Sequence, residues 1–70
     1  MWECKCLNVK NGDGYGDKCK NHDPSDATPY CYVNKDACAA KNITVFNSTS
    51  TIINTNIIGY SYKICGNKTN

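Results

Sequence analysis

Pro29-Tyr30-Cys31-Tyr32-Val33-Asn34-Lys35-Asp36-Ala37-Cys38 is the stretch that decides the fold. Proline fixes φ and lacks an amide hydrogen, so it suits the start of a strand, and the aromatic and β-branched run Tyr30–Val33 continues it. Asn34-Lys35-Asp36-Ala37-Cys38-Ala39-Ala40-Lys41 predicts one short helix of about two turns, with Asn34 or Asp36 near its start. Two cysteines sit in this decapeptide, and Cys4, Cys6, Cys19 and Cys65 complete a set of six in 70 residues.

A chain of this length buries too little apolar surface to offset about 1.5 kcal/mol of conformational entropy per ordered residue. Large aliphatics are sparse, with one Leu, three Val and six Ile. Covalent staples are therefore expected to hold the fold. An even cysteine set reads as disulfides in an oxidising compartment and as metal ligands in the cytosol. Cys4, Cys6, Cys19 and His22 could be assembled into a zinc site, but Cys4-x-Cys6 is tighter than the usual spacing and three cysteines would be left over. Disulfides are the expectation, with no metal and no cofactor. Cys4 and Cys6 at i, i+2 would close a strained ring, so that one pairing is excluded and the others stay open.

Asn42-Ile43-Thr44, Asn47-Ser48-Thr49 and Asn67-Lys68-Thr69 match the N-glycosylation acceptor pattern. Sequons and paired cysteines agree on a secreted or extracellular-surface protein. Trp2-Glu3-Cys4 has neither the basic start nor the apolar core of a secretion signal, so the expectation is a cleaved signal or a fragment. No apolar run approaches a membrane span. A net charge of +2, with eight Lys and no Arg, argues against a nucleic-acid partner.

The chain reads as one module, 1–70, in two parts. Residues 1–41 form a Cys-rich loop region holding five of the six cysteines, all six acids and both prolines. Asn11-Gly12-Asp13-Gly14 predicts a turn between extended pieces Lys5–Lys10 and Gly16–Lys20, and Asp23-Pro24-Ser25-Asp26 predicts a second. Residues 42–70 form an Asn/Ser/Thr/Ile-rich β region. Within it Ile57–Ile64 alternates, putting Ile58, Tyr60, Tyr62 and Ile64 on one face and Ser61 and Lys63 on the other. The expected fold is small, disulfide-rich and β-rich, with irregular loops and at most one short helix near 34–41.

Cys19-Lys20-Asn21-His22-Asp23 and Pro29-Tyr30-Cys31-Tyr32 together resemble the centre of kringle domains and, more loosely, fibronectin type II modules. The resemblance covers residues 19–32. It implies pairing of first with sixth, second with fourth and third with fifth cysteine, which here gives Cys4–Cys65, Cys6–Cys31 and Cys19–Cys38. A kringle has a long loop where Cys4 and Cys6 are one residue apart, and its paired lysine-binding acids have no counterpart near Tyr60-Ser61-Tyr62.

Catalytic material is thin. His22 is the only histidine, with Ser25 and Asp26 too close in sequence to serve as triad partners, so no enzyme is expected. Asn11, Asp13, Gly16 and Asp17 echo a calcium loop, but Tyr15 and His22 occupy its fifth and twelfth places, where the twelfth should be a bidentate Glu. Trp2, Tyr15, Tyr30, Tyr32, Phe46, Tyr60 and Tyr62 either form the core around the disulfides or make a platform for sugar rings. Thr51-Ile52-Ile53-Asn54-Thr55-Asn56-Ile57-Ile58 is uncharged and rich in β-branched residues. Exposed on an edge, it would be an assembly strand able to pair with another chain. These readings converge on an extracellular, N-glycosylated structural or adhesive module, a homo-oligomer or a binder of an extracellular protein or glycan. A secreted toxin-like or antimicrobial peptide and a kringle-like ligand-binding module are the alternatives.

Overall fold

The computed structural model describes residues 3–53 and 56–66. In chain order these form β1 (Cys31–Asn34), α1 (Lys35–Ala39), β2 (Phe46–Asn47), β3 (Ile58–Ser61) and a 3-10 turn at Lys63–Cys65. The three strands make one antiparallel sheet in the order β1-β3-β2. Tyr32 stands opposite Tyr60, and Tyr60 opposite Phe46, so one aromatic row crosses all three strands. Cys31 opposite Ser61 and Val33 opposite Gly59 put the other face of the pleat against the cysteines.

The sheet thus parts two small cores. On one face Tyr30, Tyr32 and Ile53 are buried, with Val9, Ile58, Tyr60 and Tyr62 packed around them. On the other, Cys31, Val33 and Cys38 are wholly buried among the remaining cysteines, Ile43, Val45 and Ile64. Tyr30 and Tyr32 are core residues as expected, with Tyr60 and Tyr62 packed against them, but they lie across the sheet from the disulfides rather than around them; Phe46 is exposed, and Trp2 lies outside the described residues.

Three bridges form: Cys4–Cys38, Cys6–Cys31 and Cys19–Cys65. Cys6–Cys31 is one of those the kringle resemblance implies. Cys4–Cys65 and Cys19–Cys38 are not formed, and these four cysteines exchange partners. The helix explains it: α1 follows β1 directly and carries Cys38 back over the inner face to Cys4. The 3-10 turn after β3 brings Cys65 to Cys19.

Helix α1 is the one expected. The Asn34 side chain accepts the Ala37 N–H at 2.8 Å, and Asp36 lies in the first turn. Asn42 takes the left-handed conformation at φ 60°, and the Ile43 N–H reaches back to the Cys38 carbonyl at 2.9 Å. That is a Schellman closure with its apolar contact, Ile43 on Cys38.

The described residues of the stretch 51–58 do not form the expected assembly strand. Thr51 and Ile52 are exposed in a bend, Ile53 is anchored in the tyrosine core, and Asn54 and Thr55 lie outside the described residues. Asn56 and Ile57 form a turn, and Ile58 opens the central strand, whose two sides are taken by β1 and β2. Upstream, the hydroxyls of Ser48 and Ser50 accept the N–H groups of Ser50 and Ile52. Such local bonds compete with a ladder, which is why only Phe46–Asn47 of this segment is strand. The alternation of 57–64 holds as far as Tyr62; the 3-10 turn then rotates Ile64 to the cysteine face.

Candidate functional site

Both predicted turns are present, and they fold toward the tyrosine face. Asn11 organises the first: its carboxamide oxygen accepts the Asp13 and Tyr15 N–H groups at 2.9 and 3.0 Å. Its amide nitrogen meets the Tyr30 hydroxyl at 3.4 Å. In the second, the Asp26 N–H bonds the Asp23 carbonyl, while the Asp23 carboxylate accepts the Ser25 N–H and hydroxyl at 2.9 and 2.8 Å. Between the turns and the sheet lies a cleft of about 350 Å³. Tyr30, Tyr32, Tyr60 and Tyr62 make its floor and wall, Asn11, Asp13 and Thr49 one rim, and Asp23, Ser25 and Asp26 the other. A second hollow continues past Tyr32 along Thr49, Ser50 and Thr51.

The rings are packed mainly edge to face. Tyr30 meets Tyr62 at 6.0 Å and 79°, and Tyr60 meets Tyr62 at 5.7 Å and 90°. Phe46, 44% exposed, stacks on Tyr60 at 5.5 Å. Tyr30 and Tyr32 are spent on the core, so the ring surface left to a ligand belongs to Tyr60 and Tyr62.

Asp26 is held at both oxygens, by the Thr28 N–H at 3.0 Å and by the Tyr62 hydroxyl at 3.2 Å. Burial, and then the Asp26 charge, push the Tyr62 hydroxyl up to about 12. Burial likewise raises Tyr30. The Ser25 N–H, with its hydroxyl, holds Asp23 below the ordinary carboxylate value. Among the described residues no lysine lines the cleft, so they present three carboxylates and a set of neutral donors and acceptors.

The calcium-loop residues do not converge. The Asn11 oxygen is committed to its turn, and Asp17 is turned inward onto the Asn21 amide at 2.6 Å, which lowers its pKa. Cys4, Cys6 and Cys19 are all in bridges, and the His22 ring lies 3.3 Å from the Asp23 carbonyl. Ser25 bonds Asp23, not His22. Of the sequons, Asn42 and Asn47 are exposed, the latter accepting the Lys35 Nζ at 2.9 Å, and Asn67 lies outside the described residues.

The tyrosines were legible as a candidate platform. Asn11, Asp23 and Asp26 were legible as turn formers, with Asn11 also weighed as a calcium-loop position and Asp26 as a triad partner, but not as one cleft, because nothing in their spacing says that both turns close over the same sheet face.

The chain is a small disulfide-stapled β domain. No protein-family model matches it, and no curated protein and no solved structure does so either. Among the described residues no helix is long and apolar enough to cross a membrane.

Proposed function

We propose that this chain is an extracellular adhesive module that takes a carbohydrate in the cleft between its two turns and the tyrosine face. The observation that carries this reading is the composition of the cleft: Tyr60 and Tyr62 beside Asn11, Asp23, Ser25, Asp26 and Thr49. A sugar presents apolar C–H patches and a ring of hydroxyls. Tyrosine offers a stacking face with a polar tip, and carboxylates and amides accept and donate to hydroxyls. Asn11, Asp23 and Asp26 are fixed by their own turns, so little side-chain freedom remains to be lost on binding. Three bridges support the extracellular placement. Exposed Asn42 and Asn47 are available as glycan acceptors, which glycosidase-sensitive mass on natively made protein would show.

With Thr51, Ile52 and Ile53 in a bend, Asn56 and Ile57 in a turn and Ile58 in the central strand, the adhesive reading takes precedence over self-assembly. The test is an array of neutral, amino-bearing and sulfated oligosaccharides, followed by NMR titration of the best. Shifts at Asn11, Asp26, Tyr60 and Tyr62, lost in Asp26→Asn, are expected. No binding at millimolar sugar, or shifts elsewhere on the molecule, would overturn it.

A further inference from the structure

The cysteine face holds a second constellation, independent of the cleft. Bridges Cys6–Cys31 and Cys19–Cys65 lie against each other, and their four Sγ atoms are all within 4.8 Å of one another. Between the bridges, Cys6 lies 3.9 Å from Cys19, and Cys31 lies 4.0 Å from both Cys19 and Cys65. A tetrathiolate zinc centre with Zn–S near 2.3 Å spaces its sulfurs about 3.8 Å apart along each edge of the tetrahedron. Four of the six edges run between the two bridges, and the fold already sets three of them close to that value and the fourth within 4.8 Å. Only the two edges that are now covalent bonds have to open. The Cα atoms of those pairs stand 5.4 and 5.6 Å apart, which leaves the opening to side-chain rotation. Cys31 is fully buried and Val33 and Ile64 pack in the same cluster, so the centre would be closed, as structural zinc sites are.

We propose that Cys6, Cys19, Cys31 and Cys65 form a latent structural site for a thiophilic divalent ion, zinc above all, which holds the reduced chain in place of two bridges. Each bridge takes two electrons from one trialkylphosphine and two protons from solvent, giving two thiols; the phosphine leaves as its oxide, with oxygen from water. The four thiols then release four protons as Zn2+ enters with its oxidation state unchanged. Cys4 and Cys38 take no part.

The full chain, reduced with phosphine under anaerobic conditions, is titrated with Co2+ as the spectroscopic probe and then with Zn2+. One Co2+ per chain is expected, with the intense visible bands of a tetrahedral tetrathiolate, displaced by Zn2+ and accompanied by recovery of folded NMR dispersion. Cys4→Ser/Cys38→Ser keeps the bands, and Cys19→Ser or Cys65→Ser loses them. Because the readout is the metal's own spectrum, a variant that is unfolded before metal is added still reports. No uptake, weak octahedral bands only, or loss of the bands in Cys4→Ser/Cys38→Ser would overturn the assignment.

Discussion

The Tyr62 hydroxyl donates to the Asp26 carboxylate at 3.2 Å across 36 positions of chain, tying the second turn to the end of the central strand. The bond closes one rim of the cleft over its aromatic wall. Loss of a hydrogen bond to a charged acceptor costs about 1.5–3 kcal/mol, and less where water reaches the pair, as at half-buried Tyr62. Tyr62→Phe is therefore expected to destabilise the fold by about 1 kcal/mol and to free the 23–26 turn. Urea unfolding measures the first effect and amide exchange at Ser25 and Asp26 the second.

The same pair gives an alkaline limit. The Tyr62 hydroxyl titrates near 10 in the unfolded chain and is held up to about 12 in the folded one. The unfolded state therefore loses its proton first, so this contribution to stability is whole below pH 10 and disappears as pH rises toward 12. Tyrosinate absorbance should show two late-titrating rings, Tyr62 and Tyr30, of which Tyr62→Phe removes one, and the alkaline fall in stability should shrink in that variant.

At the acid end the sign reverses. Asp17, held down by the Asn21 amide, and Asp23, held down by Ser25, both have lowered pKa values. Their contribution is whole above the ordinary carboxylate range and is lost as pH falls through the lowered values. Asn21→Ala also loses the bond to the Gly14 carbonyl, so it should lower stability at every pH, and in addition shift the acid unfolding midpoint upward, as pH titrations of thermal stability would record.

How much of this was written in the chain differs by element. The helix was readable because Asn34 and Asp36 are local signals, complete within one turn. So was the alternation through Tyr60 and Tyr62, since a two-residue period is also local. The partners of Cys4 and Cys19 were not. Pairing depends on where α1 and the 3-10 turn carry Cys38 and Cys65, and that is set by packing over separations of 34 and 46 residues. The stretch 51–58 misled for a related reason: β-branched content gives strand propensity, but Ile53 earns more by entering the tyrosine core. The cleft itself arises from two turns meeting one sheet face, a coincidence in space with no counterpart in spacing.

Gly16 shows what the tyrosine face demands of the backbone. Its φ is +101°, and a Cβ there would collide with the edge of the Tyr32 ring, at Cε2 and Cδ2. Its carbonyl also accepts the Tyr32 N–H at 2.9 Å, so it cannot move away without breaking β1's outer edge. Gly16→Ala combines left-handed strain with overpacking and is expected to cost about 2–4 kcal/mol. Gly12→Ala, with open space around it, should be close to neutral. Equal effects of the two substitutions in denaturant unfolding would sink this account of the turn.

The bridges carry the largest share of stability that one manipulation can remove. They span 34, 25 and 46 residues, and in the chain-entropy model each contributes about 3.5–4 kcal/mol, a sum of the order of a whole small domain's stability. Reduction in the presence of a chelator should therefore unfold the chain cooperatively at neutral pH, seen as collapse of NMR dispersion. Proteolysis of oxidised protein should release peptides joined as Cys4–Cys38, Cys6–Cys31 and Cys19–Cys65. The inter-bridge sulfur contacts near 4 Å make the last two the pairs most prone to exchange when a trace of thiol is present. Digestion at acid pH, where thiolate is scarce, should return the three native pairs alone. Digestion at alkaline pH with added thiol should yield scrambled links among Cys6, Cys19, Cys31 and Cys65 before any that involve Cys4 or Cys38.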